Sequence, residues 1–177
     1  YFDSSALLHH LAQANQWRVA LLVDEAHNLV ERGRKMYTAE LLPERLALAR
    51  RSPGARSSAP VRRALAKVDR CWRALDAEQT SNYAVHGDGF PPPLLAALQQ
   101  CGTALGEHFA EHPERQDAAL QAFYFDALHL LRMAEVLDTH SLVDTRLPAA
   151  RSATSTSAAN QPQGKRPVAR SVVCIRN

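Results

Sequence analysis

Val19-Ala20-Leu21-Leu22-Val23-Asp24-Glu25-Ala26-His27-Asn28-Leu29 is the stretch on which the fold turns. Its first five residues form a short, continuous apolar run with no alternation, bounded by polar residues. That pattern suits a strand buried on both faces of a parallel sheet. Two acids follow at once, at the carboxyl end, where open α/β sheets bind ligands in the crevice beyond the strands. A strand followed by an acid-capped helix is also ordinary α/β architecture, so Asp24-Glu25-Ala26-His27 alone leaves both meanings open.

Upstream, Asp3, Ser4 and Ser5 can cap a short amphipathic helix in which Leu7, Leu8 and Leu11 recur at helical spacing to about Asn15. His9 and His10 share that helix, with no neighbouring acid or cysteine to suggest catalysis. Downstream, Leu29 and Val30 with Arg32, Arg34 and Lys35 predict a helix leaving the strand, weakened at Gly33. A second helix follows Pro43, and the turn-rich stretch 51–58 reads as a loop.

The helix expected over Ala59–Gln79 has the clearest period: Val61, Leu65, Val68, Trp72 and Leu75 take one side, and Arg62, Arg63, Lys67, Arg70 and Arg73 the other. Gly87-Asp88-Gly89 and Pro91-Pro92-Pro93 break the chain before a helix carrying Leu94, Leu98, Cys101, Leu105 and Phe109, which Pro113 ends. A last long helix is expected from about Glu114 to Asp138, its broad stripe of Leu120, Phe123, Tyr124, Leu128, Leu131 and Ala134 widened by Phe125 and Leu130. The Ala-, Ser- and Thr-rich stretch 148–170 has the composition of a flexible linker, and Val172-Val173-Cys174-Ile175 begins another strand.

The 177 residues carry a net charge of +3, a mild basic excess that permits nucleic-acid contact without requiring it. Cys71, Cys101 and Cys174 are scattered and lack CxxC spacing, which excludes a disulfide framework and a four-cysteine metal or iron–sulfur site within the chain. No apolar run is long enough to cross a bilayer, and the expectation is an internal piece of a soluble, cytoplasmic protein, nucleoid-associated if bacterial.

The run Leu22-Val23-Asp24-Glu25-Ala26-His27-Asn28-Leu29 closely resembles motif II of superfamily two helicases. Tyr1-Phe2-Asp3-Ser4, Ala26-His27-Asn28-Leu29 and His140-Ser141-Leu142 narrow the likeness to the DinG-type branch, related to the xeroderma pigmentosum group D helicases. The resemblance implies an ATP-dependent DNA helicase. Asp24 would hold Mg²⁺ through its hydration shell, Glu25 would orient and deprotonate the water that attacks the γ-phosphate, and His27 would couple phosphate state to neighbouring motifs.

On that likeness residues 1–40 belong to the first motor domain and 41–147 to a helical arch. Residues 148–170 are a linker, and 171–177 start the strand returning to the motor. The fold class is then α/β and mostly α-helical, with the arch inserted between strands of an incomplete parallel P-loop sheet. The partners implied are ATP and single-stranded or forked DNA. No GxxxxGK[ST] occurs in the chain, which alone should be inactive toward ATP. Any iron–sulfur ligands of such a protein would lie upstream of Tyr1.

Two other constellations compete. Arg63, Lys67 and Arg70 could follow a phosphate backbone, either within a helicase or as a non-catalytic helical nucleic-acid-binding module in which the acidic box only caps a helix. His108-Phe109-Ala110-Glu111-His112 fits the H-x-x-E-H pattern of a zinc hydrolase, but His112 directly precedes Pro113, which disfavours helical geometry at the second ligand, and no third ligand is identifiable. Asp126, Glu135 and Asp138 read as solvated carboxylates and Trp72 as core.

Overall fold

Leu7, Leu8 and Leu11 lie on α1 (Leu7–Ala14), which ends where Gln16 takes a left-handed conformation (φ 51°) and the Trp17 amide donates to the Ala12 carbonyl at 2.9 Å. The computed structural model describes residues 7–114, 117–147 and 171–177, and of His9 only the backbone. The caps read at Asp3, Ser4 and Ser5, the segment Tyr1-Phe2 and the linker 148–170 lie outside the described residues. The chain divides into two compact units, Tyr1–Tyr37 and Thr38–Asn177.

In the first unit, Val19–Val23 has no regular secondary structure and does not form the strand that its composition predicts. It has no ladder partner among the described residues, and a segment is not a β-strand until another chain segment satisfies its amides. Leu22 is fully exposed and Val19, Leu21 and Val23 are more than two-fifths exposed. A 3₁₀ turn (Ala26–Asn28) then leads into α2 (Leu29–Met36), the expected basic helix, where Lys35 pairs with Glu31 at 2.7 Å. Ala12 is the one buried residue described in this unit.

The second unit begins three residues earlier than the boundary read from the sequence, because β1 (Thr38–Leu41) belongs to it. Then come α3 (Pro43–Arg51) and α4 (Pro53–Ser57), a short helix in place of the expected loop. Ser52 starts α4 by accepting the Ala55 amide on its hydroxyl at 3.3 Å. Next are α5 (Ala59–Glu78), β2 (Tyr83–Val85), α6 (Pro92–Glu111), α7 (Ala118–Glu135), β3 (Leu142–Arg146) and β4 (Val172–Arg176). Helix α7 starts later than the sequence suggests, since the Asp117 carboxylate caps it by accepting the Leu120 amide at 3.1 Å.

The sheet among the described residues is antiparallel, and the expected parallel motor sheet is not among them. Its four strands run in the order β1-β4-β3-β2 with every neighbouring pair antiparallel. The reason lies in alternation: Ala39, Leu41, Val143, Val173 and Ile175 face the core, while Glu40, Asp144, Cys174 and Arg176 take the opposite face, a period of two that antiparallel strands carry. The strand read at Val172–Ile175 therefore exists, but as an inner strand of this sheet. The fold is mixed α/β and mostly helical, as expected.

Helices α5 and α6 pack together through Val61, Leu65, Val68 and Trp72 against Leu94, Leu98, Cys101 and Leu105, with Leu120, Phe123, Ala127 and Leu130 of α7 completing the core. Trp72 is fully buried, its indole Nε1–H donating to the Ser171 carbonyl at 3.1 Å, so it is core as the spacing implied. The broad stripe of α7 is only partly used: Phe125 stays 56% exposed and Leu128 lies near the surface. Among the described residues, no helix is long and apolar enough to cross a membrane.

Candidate functional site

The acidic box sits in a tight turn. Glu25 adopts φ 51°, ψ 43°, a left-handed conformation uncommon for a residue with a side chain, and its amide donates to Asp24 Oδ1 at 2.8 Å. The Asn28 side-chain amide donates to Glu25 Oε2 at 3.0 Å, which steadies the carboxylate over the 3₁₀ turn. Asp24, Glu25 and His27 are all exposed and lie within four consecutive residues.

One oxygen of Asp24 is thus engaged by backbone, and the other is available to solvent. An exposed carboxylate oxygen suits Mg²⁺ held through water, with the remaining ligands coming from phosphate and other chain segments. Among the described residues, no three His, Cys, Asp or Glu side chains gather where a metal ion could be held.

The second set lies on α5 in the other unit. Arg63 and Arg70 are exposed, while Lys67 is half-buried and donates to Gln100 Oε1 on α6 at 2.7 Å. Arg73, counted with them on the helical wheel, turns instead to Asp69 at 2.9 Å, where Arg50 of α3 also arrives at 2.7 Å. Asp69 is almost wholly buried, so this pairing joins α3 to α5 and withdraws Arg73 from the free cationic set.

A wider signal is legible in composition and is missed by helical wheels. Residues 45–75 carry nine Arg and Lys against one acid, Asp69, whereas 76–147 carry eleven acids against three arginines. The basic character therefore extends over α3, α4 and α5 together, and a field of one sign spread over adjacent elements attracts polyanions more strongly than one helix face.

The zinc pattern does not assemble. His112 leaves α6 at φ −132°, ψ 60°, as Pro113 dictates, and its ring meets that of His108 edge-on at 5.1 Å. His108 is buried, with Nε2 3.2 Å from where a Cβ on Gly54 would sit, while Glu111 is exposed. His108 thus helps pack α4 against α6. Of the other acids considered, Asp126 lies 3.7 Å from Arg45; its partial burial raises its pKa above the ordinary carboxylate value, opposed by Arg45 and His129. Glu135 pairs with Arg132 at 2.9 Å.

Burial pushes the Cys101 thiol up to about 12, and burial with the nearby Asp144 and Glu40 carboxylates does the same for Cys174. Thiols so disfavoured as thiolates are poor nucleophiles and metal ligands, which leaves both as packing groups. No family model, curated protein or solved structure matches the chain.

Proposed function

We propose that this chain is part of an ATP-driven DNA helicase of the DinG type, with the first unit belonging to a parallel P-loop sheet and the second forming a helical arch inserted in the motor. The observation that carries this reading is Val19–Val23: an apolar segment exposed along its length and ending directly in Asp24-Glu25. Five unburied apolar residues are costly in water, at roughly 25 cal/mol per Å² of apolar surface. Flanking strands from other parts of the motor would cover them and leave the two carboxylates at the sheet's carboxyl end.

In that setting Mg²⁺ would supply charge neutralisation for the phosphates of bound ATP. Asp24 would orient the hydrated ion, Glu25 would accept the proton of the attacking water, and His27, two residues on, would couple the site to its neighbours. The test is Glu25→Gln in a protein that joins this chain to a GxxxxGK[ST] segment. Nucleotide binding should persist while ATP turnover falls by about 10²-fold or more. Unaltered turnover would sink the reading.

A second reading, a non-catalytic nucleic-acid-binding helical module, is favoured by the basic surface of α3–α5. Single-stranded DNA titrated at low and high salt separates it from a merely solvated face. Arg63→Glu, Lys67→Glu and Arg70→Glu together should weaken binding and flatten its salt dependence, by about 0.7 in log–log slope for each phosphate that is no longer neutralised. No binding by either form would leave the cations as surface charge.

A further inference from the structure

Strand β2 closes one end of the sheet, and no described strand pairs with its outer edge. Its ladder to β3 pairs Tyr83 with Arg146, Ala84 with Thr145 and Val85 with Asp144. The His86 amide donates to the Val143 carbonyl and the Leu147 amide to the Asn82 carbonyl, both at 2.9 Å. In an antiparallel ladder hydrogen-bonded pairs alternate, so Ala84 turns its amide and carbonyl to β3 while Tyr83 and Val85 direct theirs outward. The Tyr83 carbonyl is taken by the Ser81 hydroxyl. The Val85 amide and carbonyl and the Tyr83 amide bond no other described backbone group and are placed to bond another strand.

Natural edge strands are commonly blunted by Lys, by Pro or by a covering helix. Strand β2 is short and carries neither Lys nor Pro. It presents Tyr83 and Val85 at 46% and 50% exposure, two of the few large apolar side chains exposed in this unit. Beside it runs a groove of about 540 Å³ between the carboxyl end of α5 (Leu75, Glu78), β2 and the amino end of α6 (Phe90, Pro93).

The lining of that groove is acidic. Glu78 and Asp88 line it, both exposed and neither ion-paired among the described residues, and no Lys or Arg lines it. The one other titratable group, His86, has its ring nitrogen engaged with Thr145 Oγ1 at 3.2 Å.

We propose that the β2 edge and this groove dock an extended, basic segment of another polypeptide, which adds a fifth strand to the sheet and sets an Arg or Lys side chain between Glu78 and Asp88. Main-chain hydrogen bonds to Val85 and Tyr83 supply the affinity of such strand addition, and the groove selects the alternate side chain. The carboxylates select its sign of charge. This surface is separate from the basic helices and does not depend on the helicase reading.

The test uses the full chain and three fluorescein-labelled eight-residue peptides: alternating valine and arginine, alternating valine and glutamate, and the arginine peptide N-methylated at alternate residues. The arginine peptide should bind with the other two at least about tenfold weaker, and amide shifts in ¹⁵N spectra should centre on residues 83–86. Glu78→Lys with Asp88→Lys, both at exposed positions, should reverse the charge preference with the circular dichroism spectrum unchanged. Equal affinity for the arginine and glutamate peptides, no binding up to about 1 mM, or shifts centred elsewhere would overturn the proposal. So would indifference of the folded double variant to peptide charge. Self-association through β2, seen as concentration-dependent sedimentation, would assign the edge to a second copy and overturn it too.

Discussion

Asp117 shows how one side chain can hold three elements. Its carboxylate accepts the Gly54 amide at 2.9 Å and the Leu120 amide at 3.1 Å, joining the start of α4 to the start of α7 beneath the His108 ring of α6. Partial burial raises its pKa, but the amides of Gly54, Leu120 and Ala119 and the Ser52 hydroxyl outweigh that and hold it below the ordinary carboxylate value. A folded-state pKa below the unfolded one contributes stability that is present above the unfolded value, about 4, and lost as pH falls through the folded one. Asp117→Ala should therefore cost about 1 kcal/mol at pH 7. The difference from wild type should shrink on acidification below about pH 4, read by urea unfolding on either side of that value. An equal difference in neutral and strongly acidic solution would contradict this account. The crowding at Gly54, where an added Cβ would sit 2.6 Å from Leu120 Cδ1, explains why glycine stands there.

Among the elements, β3 carries the sheet's most constrained polar group. Asp144 is fully buried on the face away from the helices, accepting Arg146 Nε at 2.8 Å on one oxygen, with Arg176 Nη1 2.7 Å from the other as an ion pair off hydrogen-bond alignment. The arginines come from β3 and β4, so the carboxylate ties two neighbouring strands. Both guanidinium groups are a third to a half exposed and would turn to water if freed. Asp144→Ala should thus cost about 2 kcal/mol rather than the larger penalty of stranding a buried charge. Chemical denaturation gives the number, and a change under about 0.5 kcal/mol would mean that packing alone holds the pair of strands. The helices behave differently, since their stability rests on Trp72, Leu98, Phe123 and their neighbours in one continuous core.

At the scale of the whole molecule, the two units differ in what they bury. Residues 38–177 contain the sheet, the helical core and all but one of the buried apolar residues described, whereas the first unit buries Ala12 alone among its described residues. A chain of residues 38–177 should therefore melt cooperatively, with a midpoint within about 3 °C of the full chain's. Loss of the cooperative transition on removing residues 1–37 would show that the first unit supports the second. The first unit, with Leu22 fully exposed and Val19–Val23 lacking a ladder partner among the described residues, should be the first part cleaved in limited proteolysis.

Helix positions were legible in the sequence because their cause is local. The period of Val61, Leu65, Val68 and Trp72 and the break at Pro113 act within a few residues, whereas the caps at Ser58 and Asp117 were seen only in the structure. The acidic box was equally legible, as a run of residue types, and so was the basic composition of 45–75. Three of the four strands were not: β1, β2 and β3 are three to five residues long, and alternation over so short a span carries little signal. Strand direction was hidden for a different reason, since a short apolar run such as Val172–Ile175 reads the same whichever way its neighbours point. The sequence by itself determined which segments are apolar, where the long helices run, and which residues are acidic or basic. Only the tertiary structure decided that β4 runs antiparallel between β1 and β3, that Asp69 holds Arg73 and Arg50, and that no described strand pairs with the outer edge of β2, because pairing, burial and exposed edges depend on contacts between residues far apart in the chain.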